Sequence, residues 1–183
     1  YKQTLNLPKT AFSMKANLPS LEPKIYEIWS KDNLYSLIRE KRKGRTKYIL
    51  HDGPPYANGD IHLGHALNKI LKDIVIKFKT MNGFDAPYVP GWDCHGMPIE
   101  HQLFKELNIS KEKIKQSEFR KKAHEYAMRF VHIQREDFKR LGIFGDWDNP
   151  YLTLDPKYEA AVIRSFGGLV KKGFIGKGLK PVN

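Results

Sequence analysis

His62-Leu63-Gly64-His65 sets two imidazoles three residues apart, where a turn-rich stretch runs into the most regular apolar periodicity of the chain. On a turn of helix such a pair projects to one side. Imidazoles donate hydrogen bonds to phosphate oxygens while bringing little fixed charge. The start of a helix adds amide N–H groups without partners in the helix, and the positive end of the macrodipole, so an anion is favoured there. Gly64 carries no side chain and lets a nucleotide approach the backbone closely. The chemistry that suits this arrangement is in-line displacement at phosphorus, where positioning and electrostatics do most of the work.

Two other chemistries draw on neighbouring residues. Cys94 and His95 could join His62 and His65 as four zinc ligands, or Cys94 could act as a nucleophile beside His95. Cys94 and His95 are adjacent, however, and no Cys-x-x-Cys knuckle accompanies them, so no metal is expected in this segment. Adjacent residues also present nucleophile and base poorly to one another. A bare His-x-x-His is no proof of catalysis either, since such pairs cap helices and decorate surfaces. No Walker-type Gly-x-x-x-x-Gly-Lys-Ser/Thr loop occurs.

The elements that must hold the histidines are legible around them. Leu67, Ile70, Leu71, Ile74, Val75 and Phe78 step by helical intervals, which predicts a helix packed on that face and wet on the face of Lys69, Lys72, Lys77 and Lys79. Asn82-Gly83 closes it. Tyr48-Ile49-Leu50 reads as a buried strand before the helix, and residues 86–89 as a second strand after it. Residues 48–89 then form one parallel βαβ unit. The histidines would lie at the carboxyl end of its first strand, where open α/β sheets bind ligands. Ile25, Ile28, Trp29, Leu34, Leu37 and Ile38 predict a helix that ends in a basic stretch at Gly44. Before it, residues 1–24, with Pro8, Pro19 and Pro23, read as an extended arm. Further helices are expected through Ile99, Leu103, Phe104 and Leu107, from Ser117 to Gly142, and from Pro156 to Gly173, with a last strand within 174–182.

The whole chain has 183 residues, 40% hydrophobic, with one cysteine. That length can bury a core without disulfides and fits a reducing compartment, most simply the cytoplasm. No apolar run approaches the roughly 20 residues that cross a bilayer, so no membrane partner is expected. The start lacks the apolar stretch of a signal peptide, and 12% aromatic content argues against disorder. Lys+Arg exceed Asp+Glu by 32 to 20, a formal charge of +12. That balance favours a polyanionic partner, with a merely solubilising basic surface as the alternative. Tyr1 is not an initiator Met, and the ending Lys180-Pro181-Val182-Asn183 closes no element, so a piece of a longer chain is expected.

The longer motifs sharpen this. Asp52-Gly53-Pro54-Pro55-Tyr56-Ala57-Asn58-Gly59-Asp60-Ile61-His62-Leu63-Gly64-His65-Ala66 resembles the signature of the class I aminoacyl-tRNA synthetases in its isoleucine version. Pro90-Gly91-Trp92-Asp93-Cys94-His95-Gly96-Met97-Pro98-Ile99-Glu100 resembles a second block of the same enzymes, with Met97 where leucine is usual. The leucine and valine enzymes share His-x-Gly-His but differ around it. The resemblance runs over the whole chain and implies a Rossmann-like parallel sheet. Residues 1–47 would be an N-terminal arm and helix, and 48–183 the first half of the catalytic domain.

It also implies roles. His62 and His65 would be catalytic, stabilising the transition state as an isoleucine carboxylate attacks ATP. Asn58, Gly59, His62, Gly64 and His65 would bind ATP, supplied with Mg2+. Gly53, Pro54 and Asp93 would bind L-isoleucine, Asp93 taking the ammonium group. Trp92 reads as packing. The partners would be ATP, L-isoleucine and tRNA(Ile), and the full-length form a monomer. The second class I signature, Lys-Met-Ser-Lys-Ser, does not occur here, and these residues alone are expected to activate isoleucine poorly or not at all. A nucleotidylyltransferase built on His-x-Gly-His, or an RNA-binding module using the basic surface, are the competing readings; the former lacks the Gly-Trp-Asp-Cys-His-Gly block. Lys41-Arg42-Lys43, Lys121-Lys122 and Lys139-Arg140 are the basic clusters that could touch tRNA or equally be solvated helix faces, the latter being the preferred reading for the last two.

Overall fold

The computed structural model describes residues 4, 6, 11, 15–108 and 113–179. Most of the expected N-terminal arm, including Pro8, lies outside them. Residues 18–24 are helical rather than extended, because Pro19 stands in the first turn of α1 (Leu18–Lys31), where its missing N–H costs nothing. Pro23 is accommodated further in. The helix expected around Trp29 and Leu37 is two helices, α1 and α2 (Leu34–Arg42), broken at Asn33, which adopts a left-handed conformation (φ 48°). Trp29 packs edge-on against Phe144 at 5.2 Å. The Tyr35 hydroxyl donates to the Tyr88 carbonyl (3.2 Å) and accepts from its amide (3.1 Å). Both helices are thereby fixed to the body.

Of the expected βαβ unit only the helix forms, α3 (Leu63–Met81), where the spacing put it. Tyr48-Ile49-Leu50 is neither a strand nor buried throughout, with Ile49 65% exposed, and residues 86–89 are not a strand either. The segments meet in parallel at Lys47↔Asp85 and again at Tyr56↔Asp93, and the first is one residue longer between those points. Pro54 and Pro55 on one side, and Pro87 and Pro90 on the other, have no amide hydrogen to give a ladder. The strand expected at 86–89 therefore appears further on, as β1 (Gly91–Trp92), where amides are available. β1 pairs in parallel with β2 (Tyr151–Leu152), at Gly91↔Tyr151 and Trp92↔Leu152. The middle segment, 85–93, thus touches a parallel neighbour on each side.

The crossover from β1 to β2 carries α4 (Met97–Leu107) and α5 (Gln116–Arg140), joined by stacked Phe104 and Phe119 rings 4.3 Å apart. The core gathers on α5: Tyr126, Ala127, Val131 and Phe138 are buried with Tyr88, Trp92, Ile99 and Leu103. α5 gives way to Gly142 as expected. α6 (Pro156–Lys171) follows, with Asp155 capping the Lys157 amide. The last strand does not form over 174–179, and 180–182 lie outside the described residues.

One expectation is inverted. The apolar stripe of α3 faces solvent, with Leu67 59%, Leu71 55%, Ile74 56% and Phe78 55% exposed, while Lys69 from the supposedly wet face is 2% exposed. The cause is Asp52, a buried carboxylate beneath the helix that draws Lys69 inward. α6 likewise turns Val162, Ile163 and Phe166 outward.

Candidate functional site

The two imidazoles lie where α3 begins, stacked with centroids 3.8 Å apart and planes 21° from parallel. Each ring spends one nitrogen on the helix. His62 is the N-cap, and its Nδ1 accepts from the Gly64 amide (3.0 Å) and the His65 amide (3.3 Å). His65 Nδ1 in return accepts from the His62 amide (3.4 Å), closing a capping box made of two histidines. The amides of Gly64 and His65, which the spacing left open for an anion, are therefore already taken. What the site offers instead is Nε2: an imidazole accepting at Nδ1 carries its proton on Nε2, so each ring is a neutral donor turned away from the helix. Burial, then the charges of His62 and Lys69, hold the His65 pKa below its ordinary 6.5, which favours that neutral form. Gly64 is required by the same packing, since a Cβ there would stand 2.9 Å from the His62 ring.

The preceding loop is held from three directions. The Asn58 amide donates to the Pro98 carbonyl (3.3 Å) and its oxygen accepts from Tyr126 (2.8 Å), tying the loop to α4 and α5. The Ala57 amide donates to the Asp93 carbonyl (2.9 Å), and the Asp93 amide to the Pro55 carbonyl (2.8 Å). The two signature loops are thus neighbours. Gln134, fully buried on α5, donates to the carbonyls of Tyr56 (3.1 Å) and Gly59 (2.8 Å) and accepts from the Trp92 indole (2.9 Å). Trp92 is core packing, as its sequence context suggested.

Beneath the loop, Asp52 is gripped by Lys69 and Lys72, and accepts from the Tyr88 hydroxyl at 2.6 Å. Burial raises the Asp52 pKa, but the hydrogen bonds and charge of the lysines outweigh it and hold the carboxyl below its ordinary value. Burial also lowers the Lys69 pKa and raises that of Tyr88. The Tyr151 hydroxyl donates to the Asp52 carbonyl (3.1 Å). Its ring lies flat on Gly91, where any Cβ would collide with it. Gly53 and Pro54 line a cleft of ≈ 540 Å³ with His51, Asp52, Tyr151 and Tyr158; His62, His65 and Asp93 are not among its walls.

Asp93 Oδ1 accepts from the His95 amide (3.3 Å) and the Thr153 hydroxyl (3.4 Å), so the carboxylate also fixes its own loop. His95 turns to the Thr153 carbonyl and to Glu159, 3.2 Å each. Cys94 is buried, which pushes its thiol up to about 11, the wrong direction for a nucleophile. Among the described residues no three His, Cys, Asp or Glu side chains converge as a metal site would need. Of the basic clusters, Lys139 pairs with Glu136 and Arg140 with Glu22, while Lys41 and Lys43 are exposed at the end of α2.

Sequence reasoning passed over Gln134 and Tyr151, and gave Asp52 no role beyond opening the signature segment. Gln134 was detectable as the one polar residue in the stripe Ala127, Val131, Gln134, Phe138. Tyr151 gave no signal, because its partner Asp52 lies 99 residues away along the chain.

Residues 24–183 match the family model of tRNA synthetases class I (I, L, M and V). The chain is 63% identical over 182 residues to the isoleucine–tRNA ligase of Natranaerobius thermophilus, and 60% identical to that of Carboxydothermus hydrogenoformans. Each match covers 100% of this chain and 20% of the relative. The chain therefore spans about a fifth of those relatives' length. A crystal structure of a LeuRS–tRNA–LeuAMS ternary complex from Agrobacterium radiobacter K84 superposes on 87% of this chain and 18% of its own, with TM-score 0.67 and 19% identity, a likeness of fold.

Proposed function

The chain belongs to the class I tRNA synthetases of the I, L, M and V group, and from that membership we propose that it is the His-x-Gly-His half of an isoleucine–tRNA ligase active site. ATP enters as its Mg2+ complex. A carboxylate oxygen of L-isoleucine attacks the α-phosphorus, the bond to the β-phosphate bridging oxygen breaks, and pyrophosphate leaves with the displaced electron pair. Charge grows on the phosphoryl oxygens during this step. The Nε2–H groups of His62 and His65 meet it as preorganised donors that need no reorientation. The terminal adenosine hydroxyl of tRNA(Ile) then attacks the acyl carbon of the adenylate, releasing AMP.

In this reading Gly64 and the turn at Asn58 and Gly59 form the nucleotide wall. Gly53 and Pro54 shape the side of the cleft that takes isoleucine, and Asp93 accepts its ammonium group through a charge-assisted hydrogen bond. The parallel pairings of 46–57, 85–93 and β2 support a Rossmann-like sheet completed by residues outside this chain. Residues 1–47 serve as an N-terminal preface to the catalytic half at 48–183. Exposed Lys41 and Lys43 are the basic residues best placed for tRNA phosphates. The full-length protein works in the cytoplasm as a monomer.

The histidine capping box carries the reading: it costs each ring one nitrogen and leaves the other, protonated, aimed away from the helix. The direct test is pyrophosphate exchange by the full-length protein with each amino acid in turn. Exchange stimulated by isoleucine above all others is expected. Exchange that ignores amino acids, or salt-sensitive tRNA binding with no exchange, overturns it.

A further inference from the structure

Gln134 is a buried amide in a place where an apolar side chain would pack as well. Its neighbours along α5, Val131 and Phe138, are apolar and buried, and Gln134 itself is 0% exposed. Burying an amide gains little stability over an apolar side chain of similar volume, so stability alone does not call for glutamine here. What the amide supplies is geometry. Both of its hydrogens go to the loop that delivers the histidines, at the carbonyls of Tyr56 (3.1 Å) and Gly59 (2.8 Å). Its oxygen goes to the Trp92 indole (2.9 Å), one residue before Asp93. The orientation is unambiguous, because a flipped amide would set oxygen against two carbonyls and N–H against N–H. Each polar atom of the side chain is committed to one or other signature loop, and to nothing else.

We propose that Gln134 is a positioning residue that fixes the spacing between the nucleotide loop, 56–65, and the ammonium-binding loop at Asp93. Through that spacing it sets the alignment of the isoleucine carboxylate with the α-phosphorus of ATP. The proposal rests on the synthetase reading above. A satisfied buried network of this kind specifies one arrangement where apolar packing would allow several. In-line attack is sensitive to it: a displacement of about 1 Å costs on the order of a hundredfold in rate.

The test uses the full-length protein with Gln134→Met, which keeps the volume and drops all three bonds, and Gln134→Glu, which keeps only the bond to Trp92. Active-site titration, melting temperature, and kcat and KM for ATP and isoleucine in pyrophosphate exchange are measured for each. Per titrated site, both variants are expected to lose at least tenfold in kcat, on the order of the misalignment cost above, whatever happens to the melting temperature. Gln134→Met combined with Asp93→Ala should lose little beyond Asp93→Ala alone, since a loop spacing with no ammonium anchor left has nothing to align. Wild-type kcat per site in Gln134→Met, or losses that multiply in the double variant, overturns the proposal. Should Gln134→Met not fold, Trp92→Phe, which removes one bond from the same network, is read by the same two criteria. A wild-type protein without isoleucine-dependent exchange would instead sink the functional reading itself.

Discussion

His62 and His65 each commit one nitrogen to capping α3, and for His65 this bears on its pH behaviour. The neutral ring is the form that both caps and donates, because an imidazolium has no acceptor at Nδ1. The folded protein lowers the pKa of His65 below 6.5. The unfolded chain therefore takes up this proton first as pH falls, and the contribution of the cap is complete above 6.5 and lost through the lowered native value. The acid limb of kcat/KM for isoleucine activation should accordingly lie below pH 6.5, in step with faster amide exchange at Gly64 and His65. A limb above 6.5 would contradict this. Cys94, with its thiol pushed up to about 11, should resist alkylation at pH 8 in the folded protein; labelling at the rate of a free cysteine would show it to be accessible and activated. At this scale the sequence disclosed which residues meet, since the three-residue spacing stacks the rings, but not that they point back to cap the helix. A ring's rotamer depends on the loop that delivers it.

Elements here are pinned by side chains reaching across the fold more than by strand ladders. Asp52 holds α3 beneath the loop through Lys69 and Lys72. Removing the charge in Asp52→Asn leaves both lysines facing a neutral amide at a buried position, at a cost of about 3–5 kcal/mol. Amide exchange across 52–59 should accelerate and the melting temperature should fall. Because the Asp52 pKa is lowered, from an ordinary 3.8, its contribution is full above that pH and disappears as pH falls through the lower native value. Wild type and variant should converge there, and a difference that persisted in acid would assign the effect to packing. Gly91→Ala tests the other side: the new methyl must push the Tyr151 ring off β1 and break its bond to Asp52. Tyr151→Ala should relieve part of that damage, so the two losses should not add.

The helices were readable because 3.6-residue periodicity and glycine stops are local. The strands were misread because apolar character alone marked them: Pro87 removes a ladder donor within 86–89, and 48–50 only adjoins the single bridge Lys47↔Asp85. α3 was given the wrong buried face because its periodicity is real, but its apolar stripe is not what this chain covers.

At the scale of the whole molecule, outward apolar faces on α3 and α6, a formal charge of +12 and relatives five times longer fit one lobe of a larger catalytic domain. Helix faces this apolar and this exposed are uncommon on a finished monomer. The isolated 183 residues should bind an apolar dye and give no isoleucine-dependent exchange, whereas the full-length protein should do the reverse. Exchange by the isolated chain at the full-length rate would show that the site is complete without its missing half. The motifs made the family legible from the sequence alone; the uncovered faces became visible only once the packing was known.

The central claim is that two neutral imidazoles, fixed by their own capping box, stabilise the charge that develops on ATP. It is tested most directly by the single-turnover rate of isoleucyl-adenylate formation in full-length His62→Ala and His65→Ala. Each should fall on the order of 10²–10³-fold, the cost of one preorganised donor, with little change in isoleucine affinity. Rates within fivefold of wild type would contradict it.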